Sequence, residues 1–243
     1  MARGVSVALR TQMATLYATR ALRLLVVLAG GALVLLLGLR FVGLLSADAL
    51  EQVRHALLTV AVPLGGVLVA ELPVREGLRS RTLLYPLMGP VGRSALLFAR
   101  TLVAFGLLVL ALGALLVLFG AASAATPWAL GRELLALVLG AAAYVSVFGL
   151  VHLFTARGLV GGILFFVIVD SPVGRLPLTL RFLVPSAHVH AVAGLAPPSD
   201  LALALAVSEP NAFVSAAVLC VIAFVGFGLT AFRFSRMSLE ELC

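Results

Sequence analysis

The chain has 243 residues, 63% of them hydrophobic and only 11% charged, whereas a water-soluble domain carries about 25% charged residues. This excludes a soluble globule and predicts an integral membrane protein of the all-α class, a single transmembrane domain over residues 1–243. The net charge is +7 and all 17 basic residues are arginine, so the chain has no lysine to complete a GxxxxGK[ST] phosphate loop or to form a Schiff base.

Residues 1–21 carry Leu9, Met13, Leu16 and Tyr17 at helical spacing, with Arg10, Gln12 and Thr15 on other faces. That pattern suits a helix lying in the membrane interface, or an extension of the first span. The first span runs from Leu22 to Leu45, matching the length of about 20 apolar residues that crosses a bilayer. It is longer than the apolar run of about 7–15 residues in a signal peptide, so Ala47-Asp48-Ala49 is not read as a cleavage site. The second span runs from His55 to Leu72. Pro63, Gly65 and Gly66 interrupt its middle, as a hinge or as a static kink.

A charged loop, residues 73–93, separates spans two and three. The third span, Ala99 to Ala122, has small residues every seventh position at Ala99, Gly106, Gly113 and Gly120. These form one slowly drifting stripe on which another helix can pack closely. The fourth span runs from Leu130 to Phe154. The fifth, Leu159 to Val169, is short for a crossing, so it continues past Asp170, tilts or stops inside the protein. Residues 170–211 contain six prolines, and their short apolar patches predict short helices on the outer face. The sixth span runs from Ala212 to Phe232.

Six spans put both termini on one side. With that side cytoplasmic, twelve arginines fall inside and five outside, as the positive-inside rule requires. The loop 73–93 is then cytoplasmic. Arginines at the ends of apolar runs set topology, so the positive charge does not point to nucleic acid. The Ala-, Leu-, Gly- and Arg-rich composition suggests a high-GC bacterial genome, hence a bacterial cytoplasmic (inner) membrane. Cys220 and Cys243 form no disulfide framework.

The loop reads Arg81-Thr82-Leu83-Leu84-Tyr85-Pro86-Leu87, then Gly89-Pro90-Val91-Gly92-Arg93, with Glu76 upstream. It resembles the loop after the second span in permeases of the type-2 ATP-binding-cassette (ABC-2) exporter family. There an acidic residue precedes a Gly- or Arg-Thr-Leu, an apolar pair, a proline and a basic residue three positions on. Glu76, Arg81, Thr82, Leu83, Pro90 and Arg93 fall on that pattern. Leu78-Arg79-Ser80 and Pro86 depart from its commonest form. The six-span layout extends the resemblance over most of the chain.

The resemblance implies that the loop forms a cytoplasmic coupling helix seated on a separate ABC ATPase subunit, through Arg75, Glu76, Arg79, Arg81, Thr82, Leu83, Pro90 and Arg93. It also implies pairing with a second copy or a homologous permease. This chain would then be no enzyme and hold no cofactor or metal, ATP and Mg residing on the partner. The substrate is unidentified, the apolar spans favouring a lipid-like or hydrophobic one. An ordinary basic loop that only fixes topology is the plainer alternative.

Proton relays and charged filters need ionisable groups within the spans, and the sequence shows almost none away from span ends. Two other classes remain. An intramembrane hydrolase would use His152 or His188, with Ser146 near His152 in sequence, although no HExxH or GxSxG is present. His188 and His190 form an HxH pair without the further ligands a zinc site needs. A non-transporting membrane scaffold would have no ATPase partner.

Overall fold

The computed structural model describes residues 46–71, 93–155, 157–175, 179–195 and 210–236, with Gly30, Gly31, Val34 and Gly38 as isolated helical positions. Among the described residues every regular element is a helix. Four are long and apolar enough to cross a membrane: Asp48–Glu71, Ser94–Ala122, Pro127–Phe154 and Ala212–Arg236. Most of the expected first span, the N-terminal interfacial helix and most of the loop 73–93 lie outside the described residues.

The first of the four long helices starts at Ala47 rather than His55. Ser46 caps α1 (Ala47–Ala56), its hydroxyl accepting from the Ala49 N–H at 3.1 Å, with Asp48 in the first turn. Such a cap and first-turn acid satisfy and complement the helix N-terminus. The helix widens to a π-turn over Leu57–Ala61, closed by the Val62 N–H bonding Leu57 O, then continues as α2 (Val62–Glu71). Pro63 explains the widening. In a regular α-helix its ring would clash with the carbonyl of Thr59 and leave that carbonyl without a donor; a π-turn relieves both.

Helix α3 (Arg93–Ala122) and helix α4 (Pro127–Phe154) form an antiparallel pair. Their tight connection turns through Ala124, at φ 54°. Thr126 caps α4 by accepting from the Ala129 N–H at 3.3 Å, and Pro127 occupies the first turn, where no N–H is required.

The apolar segment expected as the fifth span continues past Asp170 as a shorter helix. Helix α5 (Gly158–Leu164) passes into a π-turn over Phe165–Asp170 and then α6 (Ser171–Arg175). The pattern at Pro63 repeats: a π-turn, one residue, then proline, here Pro172. A 3₁₀ turn (Thr179–Leu183) leads to α7 (Pro185–Ala193), and α8 (Ala212–Arg236) completes the bundle.

Close contacts fix the arrangement. A Cβ on Gly66 would lie 2.8 Å from Tyr144 Cβ, one on Gly65 2.6 Å from Leu108 Cδ1, and one on Gly226 2.8 Å from Ser146 Oγ. Helices α2 and α8 therefore run parallel to α4, and α3 runs antiparallel to it. Around these crossings Val62, Leu108, Leu137, Tyr144 and Phe148 are almost wholly buried. The outward face of α8 shows Phe213, Phe224 and Phe232, as a helix facing lipid should.

Two glycines give opposite expectations. At Gly66 the obstacle is a neighbour's Cβ with Tyr144 backbone carbon at 3.6 Å, whereas Gly106 has open space. Gly66→Ala is expected to cost about 1–3 kcal/mol through forced separation of α2 and α4. Gly106→Ala should be neutral or stabilising by up to about 1 kcal/mol. Thermal unfolding of the two variants in detergent would check this; equal melting points would contradict the close crossing.

Candidate functional site

The chain leaves the described bundle at Glu71 and re-enters it at Arg93, the first residue of α3. Both positions are at the same end as Phe154, Arg157, Arg233 and Arg236, since Arg233 lies over the Phe154 ring at 5.8 Å and Phe98 meets Phe227 edge-on at 5.5 Å. The opposite end carries Ser46, Asp48, Glu51, Ser123 and Thr126, with Arg54, Arg132 and Glu133 tied inward by their hydrogen bonds. Of the docking candidates, Arg75, Glu76, Arg79, Arg81, Thr82, Leu83 and Pro90 lie outside the described residues. Chain connection alone ties them to the arginine-bearing end.

The hinge candidates Pro63, Gly65 and Gly66 are all buried. The two glycines admit Leu108 and Tyr144 at short range, so they serve close helix approach. The small-residue stripe is used unevenly. A Cβ built on Gly120 would lie 2.8 Å from Leu130 and one on Gly113 3.5 Å from Leu137, both on α4; Ala99 is fully buried; a Cβ on Gly106 would meet nothing within 4 Å.

A buried polar cluster occupies the break in the fifth span, where the sequence suggested an outer-face loop. Asp170 has no exposed surface. Its Oδ2 accepts from the Tyr144 hydroxyl at 2.6 Å, and its Oδ1 accepts from the Ser186 N–H at 3.3 Å. The Ser186 hydroxyl donates to the Asp170 carbonyl at 3.1 Å. A carboxylate at the N-terminus of α7 is favoured by that helix's dipole. The cluster lies roughly 25 Å along α4 from Pro127, at 1.5 Å per residue, so the predicted outer-face helices dip to the level of Tyr144.

Helix α7 is fastened along its length. Val189 fills the notch at Gly140, at 2.8 Å from a Cβ built there. His188 Nε2 donates to Phe182 O at 2.9 Å, leaving Nδ1 to accept from the Ser215 hydroxyl of α8 at 3.1 Å. At the C-terminus Gly194 takes φ 73°, and its N–H and that of Leu195 bond His190 O at 2.9 and 3.1 Å. Arg132 donates to the carbonyls of Ala191 and Val192, both at 3.1 Å. A cation there complements the helix dipole and satisfies terminal carbonyls.

The neighbouring Glu133 turns the other way. Arg54 Nε donates to Glu133 Oε1 at 3.0 Å and lies 2.8 Å from Oε2, with both side chains at most 6% exposed. Arg54 Nη1 also donates to Ser123 Oγ at 2.6 Å. Consecutive residues of α4 thus fasten α1 on one side and α7 on the other. In the sequence Arg54 counted only as one of the five outside arginines.

The groups considered for hydrolysis do not assemble. Ser146 donates to Ala143 O at 2.8 Å beside α8, and His152 Nδ1 donates to Phe148 O at 2.7 Å beside Gly158. They project from different faces of α4. Among the described residues no three His, Cys, Asp or Glu side chains converge as metal ligands would.

Comparison with protein-family models, with curated proteins and with solved structures finds no match for this chain. Its chemistry rests on the residues themselves: a helical membrane bundle, a charged connection at its arginine-bearing end, and buried polar fastenings that hold a broken span in place.

Proposed function

We propose that this chain is the membrane-spanning permease subunit of an ATP-driven exporter of the ABC-2 type, with six spans, both termini cytoplasmic, in a bacterial inner membrane. The observation that carries the reading is the Glu76-to-Arg93 motif in a segment joining two apolar helices whose ends meet at the arginine-bearing end. That end is the cytoplasmic one by the positive-inside rule. Arg75, Glu76, Arg79, Arg81 and Arg93 suit charge-assisted docking on an ATPase subunit that binds ATP and Mg.

Two permease copies, identical or homologous, then form the pathway, and ATP-driven closure of the ATPases pushes on the loops. Helices α2 and α3 emerge directly from the loop, and the buried contacts of Gly65 and Gly66 transmit that push into α3 and α4. The chain itself makes and breaks no bond. The cargo is of a hydrophobic or lipid-like class.

The test is co-expression with a candidate ABC ATPase subunit. Arg79→Glu with Arg81→Glu is expected to reduce ATPase co-purification at least about tenfold, since each charge-assisted contact is worth about 1.5–3 kcal/mol. Undiminished co-purification and ATP turnover would refute the docking assignment. A single cysteine at Ser80, in a chain lacking Cys220 and Cys243, should react with an impermeant maleimide only from the cytoplasmic side. Reaction from outside would refute the topology.

A further inference from the structure

Between α3, α4 and α8 lies a cleft of about 180 Å³. Its walls are almost entirely hydrocarbon: the rings of Phe98, Phe105 and Phe227, and the small side chains of Ala142 and Ala223. Phe98 and Leu102 on its rim are each 45% exposed, so it opens sideways, toward the lipid. An apolar cavity of about 150 Å³ holds a benzene-sized guest, which makes this cleft suited to a length of alkyl chain rather than to a large ligand.

Behind the cleft is a recess of about 10 Å³ that shares Thr101, Val145, Ser146 and Phe227 with it and adds Thr230. That is about the space of one water oxygen, and three hydroxyls face it. Their chemistry is directional. Ser146, 5% exposed, donates its proton to Ala143 O at 2.8 Å, and Thr230, 4% exposed, donates to Gly226 O at 2.7 Å. With their protons committed, both oxygens offer lone pairs, so the recess accepts a hydrogen bond. No acidic or basic side chain lines either space, and an unpaired charge there would be heavily penalised. Carboxylates and ammonium groups are therefore rejected, and a ketone or ether would bring no proton to give to the Ser146 and Thr230 oxygens.

We propose that cleft and recess together form a binding site for a neutral amphiphile with one terminal hydroxyl, a long-chain alcohol. Its single O–H donates to an oxygen of the Ser146–Thr230 pair, and its alkyl chain lies among Phe98, Phe105 and Phe227. The site is independent of the permease assignment, because it needs only the described bundle.

The test uses the full chain in phosphatidylcholine nanodiscs and a decanol bearing a photoreactive diazirine. Saturable labelling is expected within residues 98–105, 142–149 or 223–230, displaced by 1-decanol and not by decane or decanoate. Ser146→Ala with Thr230→Val should weaken labelling about tenfold, the order of one lost hydrogen bond. Ala223→Leu should abolish it by filling the cleft while leaving both hydroxyls in place, and it keeps the test decisive if the double variant misfolds. Equal displacement by decane would mean that bilayer chains merely fill the cleft, and would overturn the proposal. So would saturable labelling that survives Ala223→Leu in a protein that still elutes as a folded species.

Discussion

Glu133→Ala is expected to be among the most damaging single substitutions in this chain, lowering stability by about 3–5 kcal/mol. It would leave the Arg54 guanidinium, 5% exposed, buried beside a vacated carboxylate site. The available substitutes are poor. Ser123 keeps one hydrogen bond at 2.6 Å, but Glu51 approaches only to 4.0 Å and is 54% exposed, where pairing is worth little. Removing both charges has a different expected result. Arg54→Met with Glu133→Leu replaces a desolvated ion pair by packed hydrocarbon, which is often neutral or stabilising. Thermal unfolding of Arg54→Met, Glu133→Leu and the double variant in detergent gives the coupling directly. If Glu133→Ala melts with the parent, the pair is solvated and α1 is held by packing alone.

The same pair shows what the sequence could and could not reveal. The four long apolar helices were legible because apolar run length and arginine position are local signals. Helix boundaries were less so: α1 begins at Ala47 because Ser46 caps it and because Arg54, which reads as a loop residue, finds Glu133 far along the chain. No local pattern announces a partner on another helix. The break at residues 165–172 was ambiguous for a related reason. Asp170, Pro172 and Gly174 look like the end of a span, yet a π-turn accommodates the proline and Tyr144 and Ser186 accommodate the acid. The one sequence clue was a lone aspartate directly after Phe165-Phe166-Val167-Ile168-Val169, which resembles a topological stop. For the proposed docking loop the balance is reversed: its residue pattern was readable from the start, while its geometry is not among the described residues. Pro63 shows the general lesson. Sequence gives the interruption, and only the packing against Leu108 and Tyr144 tells why Gly65 and Gly66 stand beside it.

Asp170→Ala is expected to lower stability by about 2–6 kcal/mol, because two buried donors lose their acceptor at about 1–3 kcal/mol each. The Tyr144 hydroxyl and the Ser186 N–H both point at the carboxylate, from α4 and α7. Asp170→Asn separates hydrogen bonding from charge. Its amide oxygen can accept from Ser186 and its amide group can donate to the Tyr144 oxygen, whose own proton must then turn away, so the asparagine variant should lose about half as much as Asp170→Ala if hydrogen bonding is what matters. A large loss in Asp170→Asn would show instead that the negative charge at the α7 N-terminus is needed. Tyr144→Phe in the Asp170→Ala background removes one orphaned donor and should recover part of the loss. Thermal unfolding of the three variants decides among these outcomes. The result also bears on mechanism, since this cluster joins the lower half of the fifth span to α7. If it fails, α7 keeps its ties through His188, Val189 and Arg132, and the reactivity of an Ala187→Cys thiol in its N-terminal turn should rise while that of a Leu195→Cys thiol at its far end stays low.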